Sequence, residues 1–114
     1  KIKNNLTDLL KKLKTQNKKI HGYGASTKGN VLLQYFNINN KFLDCISDRN
    51  PKKDNCYTPG TNIKILSEAK SRSLKPDYYL VLPWHFKSEI LKREKNIRRN
   101  GTRFIFPLPK LKII

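Results

Sequence analysis

A chain of 114 residues is one domain's worth, too short for a second yet long enough to bury about two thirds of its unfolded surface. Its 25 basic and 8 acidic residues give a formal charge of +17, but lysines run along the whole chain without an obvious cluster. No zinc finger, RNP-like motif or aromatic-studded basic strand accompanies them, so specific nucleic-acid binding is not expected, while a phosphorylated ligand is favoured. No apolar run nears the ~20 residues that span a bilayer, so a soluble domain with no membrane association is expected.

Cys45 and Cys56 lack partners at zinc or disulfide-framework spacing. Both read as ordinary thiols, no metal site is expected, and the setting is a reducing cytoplasm. The chain opens on lysine with no secretory signal, which reads as a trimmed start.

In chain order, Ile2, Leu6, Leu9, Leu10 and Leu13 recur at i, i+4, i+7, i+8 and i+11, which predicts an opening amphipathic helix within residues 1 to 17. Alone it is marginal, and its leucine stripe needs either the domain that follows or a missing one to cover it. A short strand over residues 19 to 23 follows, His21 included, then a glycine-marked turn and a helix with Val31, Leu32, Tyr35 and Phe36 as its apolar positions.

A second strand over residues 42 to 47 ends in Asp48-Arg49-Asn50-Pro51, where proline and Asx residues start a turn. A polar loop with Pro59-Gly60 at its tip leads to a brief strand over residues 63 to 66, and Ser67 with Glu68 opens a two-turn helix. Residues 78 to 82 form an unbroken apolar run, as expected of a central parallel strand covered on both faces. Pro83-Trp84-His85 then lead into a helix with Phe86, Ile90, Leu91 and Ile97 inward, ended by Asn100-Gly101. Residues 102 to 106 are the last expected strand, closed by Pro107 and Pro109. Strands alternating with helices predict an α/β fold: a small doubly wound, Rossmann-like parallel sheet with helices on both faces, occupying residues 18 to 114.

The stretch His21-Gly22-Tyr23-Gly24-Ala25-Ser26-Thr27-Lys28-Gly29-Asn30 sits between the first strand and its helix, where such folds bind phosphate. Gly22 and Gly24 would let the backbone turn tightly, and Ser26, Thr27 and Lys28 could add polar contacts. Position 29 comes too late for the dinucleotide fingerprint, and the lysine stands on the wrong side of that glycine for a P-loop. A ligand-binding loop and a structural turn both stay open.

Asp48 stands where a ribose-binding acid would lie, or is simply a turn residue. Trp84 and His85 end the fourth strand on the ligand edge of the sheet. Trp84 stacks on a ring or packs against a helix, and His85 could donate to phosphate, but no partner carboxylate identifies it as a base. No catalytic residue can be assigned.

With Ser47-Asp48-Arg49-Asn50-Pro51, Tyr57-Thr58-Pro59-Gly60-Thr61, Pro76-Asp77-Tyr78-Tyr79, Leu82-Pro83-Trp84-His85-Phe86 and Phe104-Ile105-Phe106-Pro107-Leu108-Pro109, the glycine stretch resembles the C-terminal domain of the sugar C-methyltransferase family. The resemblance implies a parent enzyme with a zinc-binding N-terminal region and a middle domain that binds S-adenosylmethionine. Its substrate would be a nucleotide-linked deoxy-keto sugar, held between that preceding domain of the same polypeptide and this one. The opening helix resembles the connector between them.

Catalytic and methyl-donor groups would then lie in the missing parts, leaving this chain inactive and without a cofactor of its own. Gly22, Tyr23, Gly24, Ser26, Thr27, Lys28, Asn30, Asp48, Trp84 and His85 are the expected substrate-facing residues. A non-binding scaffold that braces the catalytic domain, and a free-standing module for NAD or nucleic acid, are the competing readings.

Overall fold

The structure, a computed structural model, describes residues 2 to 114, with side chains from Asn5 onward. Lys1, and the side chain of Ile2 counted in the apolar stripe, lie outside the described residues. Helix α1 (Ile2–Thr15) buries Leu6, Leu10 and Leu13 in one cluster with Ile20, Leu33, Leu80 and Ile105. The leucine stripe is therefore covered by the strands and helix that follow it in this same chain, each leucine contributing about 1.5–3 kcal/mol of burial.

Six strands form one sheet in the order β3-β2-β1-β4-β5-β6. β1 (Ile20–Tyr23) lies between β2 (Cys45–Asp48) and β4 (Tyr78–Val81), with β3 (Ile65–Ser67) and β5 (Arg103–Phe106) outside them, all parallel. α1 and α2 (Thr27–Tyr35) cover one face; α3 (Glu68–Ser73), α4 (Lys87–Arg93) and α5 (Lys95–Arg99) cover the other. Alternation along the strands divides the core accordingly: Ile20, Ile46, Leu80 and Ile105 face α1, while Tyr23, Tyr79 and Phe104 face the opposite helices. This is the doubly wound arrangement expected. The N-terminal ends are pinned where the Asp77 carboxylate accepts the Lys19 amide at 2.7 Å and Lys19 returns its carbonyl to the Asp77 amide at 2.9 Å.

The structure corrects three details. On α2 the buried face is Gly29, Leu33 and Phe36, whereas Val31 and Tyr35 are 58% and 63% exposed. The inward positions at i, i+4 and i+7 are set by contact with the sheet, and four apolar residues around a short helix cannot all reach it. The helix expected after His85 is two helices broken at Glu94, and Phe86 is 50% exposed rather than inward. Pro107 and Pro109 do not end the sheet: the chain turns at residues 108 to 110 and returns as β6 (Lys112–Ile113), antiparallel to β5. Phe104 and Ile114 exchange two backbone hydrogen bonds at 2.8 Å, pairing the far side of β5.

Beneath α3, His21 Nδ1 is 2.7 Å from the Ser71 hydroxyl, which is itself 2.7 Å from the Tyr79 hydroxyl. Burial pushes the His21 pKa down to about 4; Asp44 raises it only in part, and Lys19 and Lys14 lower it further. The imidazole is neutral at pH 7 and serves the core.

Leu10→Ala should lower stability by about 2–5 kcal/mol in urea unfolding; a loss near zero would show that α1 is not part of this core. Because folding depresses the His21 pKa from 6.5 to about 4, its contribution is complete above pH 6.5 and disappears as pH falls through that window. The change amounts to about 3 kcal/mol. Urea midpoints at pH 7 and pH 4.5 should therefore converge in His21→Asn, and an unchanged pH slope would refute the assignment.

Candidate functional site

Beyond Tyr23, the last residue of β1, the Gly24 amide donates to the Ser47 carbonyl at 2.8 Å and carries the pairing with β2 one residue further. Gly24 then turns with φ +90°, and a Cβ there would stand 2.9 Å from Cδ of Pro83. Glycine is required twice, by the left-handed backbone and by the neighbour. Ser26 caps α2 by accepting the Gly29 amide at 3.0 Å, and a Cβ on Gly29 would meet Leu82 at the same distance. The glycine outside the dinucleotide spacing thus seats α2 on the end of β4. Gly22 lies inside β1, packed against Ile46. At the start of α2, the Thr27 and Lys28 amides have no partner among the described residues, leaving two oriented donors at a helix N-terminus.

Asp48 ties the bend to β2. One carboxylate oxygen accepts the Asn50 amide at 2.8 Å; the other accepts the Ala25 amide at 3.0 Å and lies 3.6 Å from the Lys53 ammonium, which donates to the Ala25 carbonyl at 2.7 Å. Asn30 is likewise engaged, donating to the Pro59 carbonyl at 2.9 Å and accepting from Thr61 at 2.8 Å. The residues of this bend do not fit S-adenosylmethionine: the acid that would take ribose hydroxyls holds backbone and lysine, and the Ala25 amide points to it rather than outward. Among the described residues no group of three or more His, Cys, Asp or Glu could hold a metal ion.

The expected site residues divide among three depressions along the carboxyl edge of the sheet. Tyr23, Gly24 and Asp48 line a cleft of about 610 Å³ together with Arg49, Phe86 and Arg93. Trp84 and His85 line a second, of about 630 Å³, with Lys87, Phe106, Lys110 and Lys112. Ser26, Thr27 and Asn30 border a small pocket of about 200 Å³ under Thr58 and Pro59. Lys28 is exposed on α2 and lines none of these three.

The divider is a single 3₁₀ turn, Trp84–Phe86. At three residues per turn, successive side chains leave it about 120° apart, so Trp84 and His85 face one cleft and Phe86 the other.

The first cleft has a charged floor that the sequence reading missed. Glu94, 2% exposed, accepts both Arg72 Nε and Nη2, at 2.9 and 2.7 Å, and the Tyr23 hydroxyl at 2.7 Å. Arg93 donates to the Tyr23 hydroxyl and to Glu68 Oε2, the latter at 3.0 Å. Burial alone would push the Glu94 pKa up, but the Arg72 and Tyr23 hydrogen bonds override it and hold the carboxylate ionised. Burial and the Glu94 carboxylate push the Tyr23 pKa far up, so its hydroxyl stays protonated. Arg49, by contrast, is exposed and has no ion-pair partner among the described residues. A signal for Glu94 existed in the sequence: it falls at i+4 between Ile90 and Ile97, a lone carboxylate on an apolar helical face.

Residues 1 to 109 match the family described as C-methyltransferase C-terminal domain. The C-methyltransferase NovU of Streptomyces niveus is 33% identical over 114 residues, covering 100% of this chain and 27% of that protein. The chain thus spans about a quarter of the length of that curated relative.

Gly24→Ala should cost about 1–3 kcal/mol, more than Gly101→Ala. Both glycines have positive φ, but a Cβ at position 101 meets nothing within 4 Å. Equal losses in paired chemical denaturation would show that the Pro83 contact does not constrain the bend.

Proposed function

Because this chain belongs to the C-methyltransferase C-terminal domain family, we propose that it forms the substrate-side wall of a cytoplasmic, S-adenosylmethionine-dependent enzyme that methylates a carbon of a nucleotide-linked deoxy-keto sugar. In this reading residues 1 to 17 lead in from a preceding domain of the same polypeptide, which holds the methyl donor, and residues 18 to 114 face it across the substrate.

The observation that carries the proposal is the first cleft. It opens at the carboxyl edge of the two central strands, where open α/β sheets take ligands, beside the Gly24 bend and the uncommitted Arg49. Carboxylates and cations line it together: Glu68 and Glu89 can accept from sugar hydroxyls, while Arg49 and Lys92 offset a diphosphate. The two unpartnered amides of α2 follow three and four residues after Gly24 and are further donors at that helix start.

The scaffold reading is supported by a different set of observations, the internal bonds that already engage Asp48, Asn30 and Lys53. Nuclear magnetic resonance titration with thymidine diphosphate separates the two. Under the substrate-wall reading, backbone amides of Gly24, Thr27, Lys28 and Arg49 shift at millimolar ligand or below, and Arg49→Gln weakens binding by about tenfold, the worth of one charge-assisted hydrogen bond. If those amides stay still at millimolar ligand, the domain is a brace.

A further inference from the structure

The second cleft was formed by residues that read separately in the sequence. β6 carries Lys112 back beside Phe106, the preceding turn brings Lys110, and the 3₁₀ turn supplies Trp84 and His85 opposite them. Lys87 lies with its ammonium 5.7 Å from the centroid of the Phe106 ring, and Trp84 meets His85 edge to face at 5.5 Å. Three lysines and a histidine thus surround two aromatic rings, and the lining contains no carboxylate and no carboxamide.

That composition differs from the first cleft's, which also holds aromatic rings and cations, in lacking carboxylates. Sugar hydroxyls need acceptors, which the first cleft has in Glu68 and Glu89 and the second lacks. A nucleobase needs an aromatic face and the phosphate next to it needs cations without competing carboxylates, and the second cleft joins its tryptophan to three lysines with no carboxylate among them. The two are adjacent: Gly24, on the first, would touch Pro83 if it had a side chain, and Pro83 immediately precedes Trp84. His85 and Phe86, whose ring centroids are 4.3 Å apart, form the ridge between them.

We infer that the second cleft is the subsite for the nucleoside half of the ligand. The base stacks on Trp84, and Lys87, Lys110 and Lys112 draw in the phosphate nearest the nucleoside. The diphosphate crosses the His85–Phe86 ridge, and the sugar lies in the carboxylate-lined first cleft. This assignment rests on the nucleotide-sugar reading above and adds to it an orientation along the sheet edge, nucleoside toward β5 and β6, sugar toward β2.

Trp84 is the only tryptophan of the chain, so its emission reports on this cleft alone. Titrated with thymidine diphosphate, the chain should show saturable quenching of Trp84, and inorganic pyrophosphate should leave the emission unchanged. The double variant Lys110→Gln, Lys112→Gln, altered only at exposed side chains, should bind thymidine diphosphate about tenfold more weakly. Quenching by pyrophosphate equal to that by the nucleotide, or an unchanged affinity in the lysine variant, would overturn the assignment. A silent Trp84 combined with amide shifts at Gly24 and Arg49 would overturn this subsite and leave the substrate-wall reading standing; silence at all three would end both.

Discussion

Where Gly24 passes Pro83, the loops leaving the two central strands come into contact at their carboxyl ends, with no room for a side chain between them. The rest of the site follows from that approach. It places the start of α2 directly over β1, lets Gly29 settle on Leu82, and sets the beginning of the Trp84–Phe86 turn beside the bend. A larger residue at position 24 would separate the glycine bend from the aromatic turn, and the two clefts would no longer share an edge. The constraint is steric, since close-packed interiors do not yield by an ångström without cost.

Electrostatics act on a second level. In a chain with 25 basic and 8 acidic residues, carboxylates are scarce, and six of the eight fasten one element to another or close a turn. Asp44 pairs with Lys14 of α1, Asp48 holds the bend, Asp54 accepts the Ser67 amide at the start of α3, and Asp77 joins the N-terminal ends of β1 and β4. Glu68 and Glu94 gather Arg72 and Arg93 beneath the first cleft. The carboxylates are therefore engaged mainly in the fold, and the surplus cations remain for solvent and for anions. The surplus is not evenly spread, because the β6 return brings Lys110 and Lys112 into one cleft with Lys87.

The buried Glu94 links these two levels. It interrupts what would have been one continuous helix, holds Arg72 with both its oxygens, and fixes the Tyr23 hydroxyl under the end of β1. Pairing a buried carboxylate this fully removes most of the desolvation penalty that a single charge would suffer there. The consequence is a rigid floor: Arg93 is committed to Glu68 and Tyr23, while Arg49 across the cleft stays available.

Much of the architecture could be read from the amino-acid order, because strand and helix periodicity, caps and turn residues are local. Residues 78 to 82 announced a strand covered on both faces, Ser67 announced the start of α3, and the glycine stretch announced a bend at the carboxyl edge of the sheet. What periodicity could not decide was which side chains meet. The inward face of α2, the outward turn of Phe86 and the return of the chain as β6 depend on contacts between residues far apart in sequence. For the same reason Trp84 and His85, three and four residues beyond the strand that neighbours β1, face a cleft separate from that of Gly24: a 3₁₀ turn directs consecutive side chains about 120° apart, and only the packed sheet determines what each of them finds there.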